Sequence, residues 1–143
     1  MNTDRVTAAR QAIIENAVQM GINTEYISIL VERFYDRIRS DETLGPIFNN
    51  IIGDNWGPHL KQMKAFWASV TMNAGLYSGK PVEQHRKHTN AIKSEHFDIW
   101  LTLFRQTLED TAPTPKCVDY FMVRAERIAN SLKLAMFGTS GLG

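Results

Sequence analysis

Four histidines stand at positions 59, 85, 88 and 96, and a single cysteine, Cys117, at the other chemically versatile position. A neutral imidazole can ligate a metal, hydrogen-bond through either nitrogen or shuttle a proton, and its surroundings decide which. His59 shares a helical face with Met63, Phe66, Trp67 and Val70, so it points inward at the start of that helix. A polar ring there needs a partner: either the backbone, as for an ordinary core histidine, or something held inside the protein. Tyr35 follows Phe34 on a second apolar stripe, and Trp100 stands among Phe97, Leu101 and Phe104 on a third. Each brings an O–H or N–H donor to an apolar face. Each can also be plain packing, a tyrosine with its tip in water or a core tryptophan. His85 belongs to PVEQHRKHTN, residues 81–90, three residues after Val82. It is a candidate metal ligand or a surface histidine. With His88 it forms an i, i+3 pair that could hold zinc, yet no third ligand follows at a workable spacing. His96 reads as structural or exposed.

The elements that must position these groups are helical. Val6, Ala9, Ile13, Ala17 and Met20 step by three or four until Gly21. Ile27, Leu30, Val31, Phe34, Tyr35 and Ile38 make a second stripe, with Asn23 and Thr24 as capping candidates. LGPIFNNIIGDNWGP is expected to be an irregular link holding at most a short helical turn. Pro58 suits the first turn of the helix that carries His59. Pro81 opens a short helix through about His88. Ser94 can cap the helix of Phe97, Trp100, Leu101, Phe104 and Leu108. Thr114 and Pro115 start a last long helix bearing Val118, Phe121, Met122, Ala125, Ile128, Leu132 and Met136. No stretch alternates with period two, so the fold class is all-α. The expected organisation is one domain over 1–143, with a helical extension at 1–25 and a flexible tail at 138–143.

Composition narrows the function. The chain is 43% hydrophobic and 22% charged with a net charge of +1, ordinary values for a globular protein. That balance does not fit a nucleic-acid footprint, which needs a strong basic excess on one face. No apolar run approaches a membrane span of about 18 residues. The N-terminal segment lacks the unbroken apolar core of a secretory signal. One cysteine cannot form an internal disulfide or a Cys-rich zinc motif. A cytoplasmic protein that binds neither nucleic acid nor membrane is expected.

Taken as a set, the polar residues say more than singly. One helix offers an inward histidine, another a tyrosine, a third a tryptophan, and a fourth a lone candidate ligand. Donors converging on an apolar pocket opposite one imidazole suit a haem that binds gases. The imidazole holds iron, and the donors stabilise a ligand that gathers negative charge on binding. Core packing accounts equally well for the abundant Phe and Met. A haem-free helical interaction domain, or a zinc site at His85 and His88, is the competing reading.

Four segments then carry a resemblance: ERFYDRIRSDETLGPIFNNIIG (32–53), WGPHLKQMKAFW (56–67), GKPVEQH (79–85) and FDIWLTLF (97–104). The chain resembles the truncated haemoglobins over about residues 27–131, most closely their third group. The resemblance implies a globin-like, two-over-two helical sandwich with a short proximal helix and a haem b (iron protoporphyrin IX) cofactor. It implies His85 as the iron ligand, with Tyr35, Trp100 and His59 as the distal donors. In that group the residue matching His59 can swing and gate ligand entry. Phe48 resembles the phenylalanine packed against the porphyrin, Met63 takes a pocket position where relatives often carry an aliphatic residue, and Phe66 and Trp67 match the aromatic pair that walls the haem cavity. Three departures stand out: isolated Gly21 and Gly75 where the first two groups have paired glycines, a longer segment before Ile27, and RKHTNAIKSEH in place of a Pro-rich loop. His88 matches no family role.

The function implied is reversible binding of O2 and other diatomic ligands, NO and CO, by a monomer or weak homodimer. The enzymatic alternative is a nitric-oxide dioxygenase or a peroxidase-like oxidoreductase, whose electrons would come from a separate reductase.

Overall fold

The computed structural model describes residues 2–72, 85 and 91–138. Among them are six helices: α1 (Asn2–Gln19), α2 (Thr24–Ser40), α3 (Leu44–Ile52), α4 (Trp56–Met72), α5 (Ser94–Thr111) and α6 (Pro115–Phe137). The described residues include no strand. The expected helix at 81–88 lies outside the described residues except for His85, which is helical and half-buried. His88, Gly75 and the tail beyond Gly138 also lie outside them.

Helix α2 is the hinge of the packing. The Asn23 side chain caps it by accepting from the Tyr26 N–H at 2.8 Å. All six residues of its stripe are buried, Tyr35 among them. It packs against α4 on one side and α5 on another, while α5 pairs with α6. This is the two-over-two arrangement, α2 with α4 and α5 with α6. Aromatic rings bind the layers together. Phe104, fully buried, stacks between Trp100 and Trp67 at 5.5 and 5.0 Å and meets Phe34 edge-on at 4.9 Å. Trp67 continues the contact to Phe121 of α6 at 5.6 Å.

Three local expectations change. The stretch read as an irregular link contains α3, nine residues long. Its start is supported by Asp41, whose carboxylate accepts from the N–H groups of Thr43 and Leu44. Pro46 then falls in the first turn, where a missing N–H costs nothing. Gly45 lets α3 cross the end of α2, since a Cβ there would lie 2.6 Å from the Arg39 carbonyl oxygen. Along the stripe expected for α1, Ala17 and Met20 are buried, but Ala9 and Ile13 are exposed. The helix packed against α1 is α4. Ser94 is the first residue of α5 rather than its cap; Lys93 holds that position. Thr114 does cap α6, accepting from the Cys117 N–H at 3.2 Å with Pro115 following.

One end of the sandwich is latched. The Thr114 hydroxyl donates to the Met20 carbonyl at 2.9 Å. Gly21, at φ +84°, closes the turn between α1 and α2 against Pro113, where any Cβ would collide at 2.4 Å.

Candidate functional site

Between α3, α4, α5 and α6 lies a cavity of about 470 Å³, within the range of roughly 300–1,000 Å³ usual for ligand pockets. Its walls are mostly apolar. Leu44, Ile47, Phe48 and Ile51 come from α3, Met63, Phe66 and Trp67 from α4, and Ile128, Ala129 and Leu132 from α6. The polar exceptions are few: Tyr35, Asn55, His59, Gln62, His85 and His96, with the indole of Trp100. The residues expected to form the haem site, namely Tyr35, Phe48, His59, Met63, Phe66, Trp67, His85 and Trp100, all face this one space; His88, the second half of the competing zinc pair, lies outside the described residues.

The helices explain the convergence. Tyr35 and Phe34 are neighbours on the buried side of α2. Phe34 meets Trp100 edge-on at 5.4 Å, which joins the α2 and α5 walls. Along α4, His59, Met63 and Phe66 are spaced by three or four and so share one side. Trp67 and Trp100 are fixed by their stacking on Phe104.

His59 is the most distinctive of the group. Its ring stands perpendicular to that of Tyr35, 5.2 Å away, and to that of Trp56, 5.7 Å away. Its Nε2 is buried and, among the described residues, has no hydrogen-bond partner. A buried polar atom left unpaired costs about 1–3 kcal/mol. Burial lowers its pKa below the ordinary 6.5, and the charge of His85 across the cavity adds to the effect. The imidazole is therefore neutral near pH 7 and carries one N–H.

His96 behaves differently. Its Nδ1 accepts from the Lys93 backbone N–H at 2.9 Å, the returning half of a capping box at the start of α5. An Nδ1 that accepts leaves the proton of the neutral ring on Nε2, so this imidazole is not set up to offer a lone pair to a metal. Among the described residues no three His, Cys, Asp or Glu side chains gather as a metal cage.

Sequence reasoning passed over Trp56, Asn55, Gln62 and the lining role of His96. Asn55, His59 and Gln62 recur at i, i+4 and i+7, a helical signal available in the sequence. Trp56 stands one turn before His59 in the WGPH run.

Comparison with known proteins agrees with this architecture. The family described as bacterial-like globin matches residues 19–134, and the chain belongs to it, within the truncated haemoglobins. The chain is 34% identical over 123 residues to the group 3 truncated haemoglobin ctb of Campylobacter jejuni, covering 84% of this chain and 95% of that one. It is 25% identical over 120 residues to the group 2 truncated haemoglobin YjbI of Bacillus subtilis, covering 82% and 88%. The crystal structure of the group III truncated haemoglobin from Campylobacter jejuni superposes with a TM-score of 0.73 at 35% identity, covering 81% of this chain and 92% of that one. Most of α1 precedes the matched segment. Family membership implies a haem cofactor. The residues present fit one: an apolar cavity of suitable size, an imidazole at position 85 on its wall, and an unpaired buried nitrogen on His59. No helix of the described residues is long and apolar enough to cross a membrane.

Proposed function

We propose that this protein binds O2 and other diatomic ligands, NO and CO, at a haem b held in the cavity, with residues 1–143 forming one globin domain. His85 is the iron ligand. Phe48, Met63, Phe66 and Trp67 cover the macrocycle. Tyr35, Trp100 and His59 are the donors that face the gas. When bound, the haem iron supplies reversible coordination of the ligand.

The observation that carries this reading is the unpaired Nε2 of His59. Native proteins rarely bury a polar atom without a partner, and the exceptions call for an explanation. Here a neutral imidazole, a phenol and an indole border one cavity, and a ligand carrying partial negative charge would accept hydrogen bonds from all three. Apolar walls exclude water and strengthen each bond. Hydrogen bonds to charged groups are worth about 1.5–3 kcal/mol, and about 1.4 kcal/mol is a factor of ten. Two such bonds would slow release by orders of magnitude. A pocket of this kind suits retention, sensing or detoxification better than oxygen delivery.

The test is a set of spectra. The ferrous, ferric and CO-bound haem-reconstituted protein should show a Soret band that is lost in His85→Ala, and oxygen should leave the wild type slowly. A colourless protein after reconstitution would overturn the haem reading. Release as fast as that of an oxygen-storage globin would overturn the role of the three donors. Turnover of NO or peroxide with an added reductant would move the protein from ligand binding to redox catalysis.

A further inference from the structure

Trp56 opens α4 and is 9% exposed. It stands behind Tyr35 and His59 rather than among the residues that line the cavity. Its ring meets Tyr35 at 5.8 Å and 63°, and His59 at 5.7 Å and 89°. Tyr35 and His59 meet each other at 5.2 Å and 89°. The three rings therefore form a closed triangle of edge-to-face contacts, a geometry favoured by the opposite charges of ring face and ring edge.

The indole is itself pinned from outside the triangle. Its Nε1–H donates to Asn49 Oδ1 of α3 at 3.2 Å, which fixes one edge. The guanidinium carbon of Arg39, near the end of α2, lies 4.6 Å from its ring centre, which fixes one face. Groups from α2 and α3 thus hold a residue of α4. His59 is the opposite case, because nothing among the described residues hydrogen-bonds its Nε2. Ring packing, rather than a hydrogen bond to that atom, sets how the imidazole faces.

We propose that Trp56 is a positioning residue for the distal donors: its pinned indole holds the His59 imidazole and the Tyr35 phenol in the orientation that meets a ligand. The proposal rests on the reading of the cavity as a haem pocket and of these two residues as its donors. Its physical content is preorganisation. Donors already aimed at the developing charge need no rearrangement when the ligand arrives, and a site stays in register when its supporting rings are themselves locked. Trp56 does this without touching the ligand.

The experiment uses the haem-reconstituted protein and two readouts of donor geometry, the infrared C–O stretch of the CO complex and the rate of oxygen release. In Trp56→Leu the stretch should broaden and move toward the position found in His59→Leu. Oxygen should leave roughly tenfold faster, the equivalent of about 1.4 kcal/mol. Trp56→Phe, which restores a ring but not the N–H, should recover most of the wild-type band. A Trp56→Leu protein that holds haem and keeps the wild-type stretch and release rate, while His59→Leu changes both, overturns the proposal and leaves the pocket reading standing. Should Trp56→Leu fail to fold, the double substitution Arg39→Ala with Asn49→Ala removes both outer pins and leaves the ring. It should broaden the band in the same way, and an unchanged band there overturns the proposal. A wild type that binds no haem overturns the pocket reading and this inference with it.

Discussion

Helix α2 carries two buried tyrosines at the two ends of the sandwich, and the corners they occupy are finished in opposite ways. At the first, the Tyr26 hydroxyl lies 3.0 Å from Thr111 Oγ1. Thr111 in turn donates to the Thr107 carbonyl at 2.7 Å, so Tyr26 must be the donor of the pair. Burial raises the Tyr26 phenol well above its ordinary pKa and pushes the neighbouring Cys117 thiol up to about 11, so both stay neutral. At the second corner, Tyr35, His59 and Trp56 pack as closely, yet a ring nitrogen of His59 is left over. The first corner resembles a finished interior. The second has a hydrogen-bonding capacity on His59 Nε2 that no described residue uses, and such local exceptions tend to mark function.

The comparison can be broken most severely through Phe104, whose ring belongs to the stack shared by core and cavity. Phe104→Ala should cost about 3–5 kcal/mol, as large-to-small substitutions in tight cores do, read as a lower urea midpoint at constant slope. A loss below about 1 kcal/mol would mean that the stack is not the joint described here.

His59→Leu sharpens the contrast. It removes an unpaired buried nitrogen, so the haem-free protein should hold its stability or gain up to about 1–2 kcal/mol, while oxygen release accelerates in the haem-loaded form. The pH dependence follows from the lowered pKa. The unfolded chain takes up a proton near pH 6.5, whereas the folded imidazole resists it. The contribution is complete above pH 6.5 and is lost as pH falls below it, toward the lower folded pKa. Urea unfolding of the haem-free protein at pH 7.5 and 5.5 should show a larger drop for wild type than for His59→Leu.

The smallest effect is expected at the finished corner. Tyr26→Phe removes one hydrogen bond but leaves Thr111 bonded to Thr107. It should cost about 1 kcal/mol and leave the CO-bound spectrum unchanged. A change in that spectrum would show that the two ends are coupled.

Much of this was legible in residue spacing. The stripe of α2 specifies a buried face directly, because burial repeats with the helical period. Of the stripe from His59 to Val70 only Trp67 is buried, and His59, Met63, Phe66 and Val70 stay half-buried. The inward donors Tyr35, His59 and Trp100 were legible in the same way, whereas Phe48, in a stretch without a stripe, and the choice of His85 as iron ligand over surface histidine came only with the resemblance to the truncated haemoglobins. What escaped depended on tertiary contact. Helix α3 hides behind Gly, Pro and Asn; Asp41 supports its start by accepting from the Thr43 and Leu44 N–H groups, and Gly45 permits its approach to Arg39. The stripe of α1 promised more burial than it received, since periodicity reports a face but not whether anything covers it. Trp56 stands at helical spacing from His59, but that spacing does not show what holds it. Its place depends on Asn49 and Arg39, which no pattern along the chain brings together.

Trp67 and Trp100 each have one side in the aromatic stack and the other on the cavity. Whatever fills that space is then also a component of the interior, and its binding adds directly to the free energy of folding by mass action. Scarcity of the tetrapyrrole would leave a chain nearer its unfolding threshold and more open to proteolysis. The cellular abundance of this protein should accordingly follow haem supply, even with its synthesis held constant.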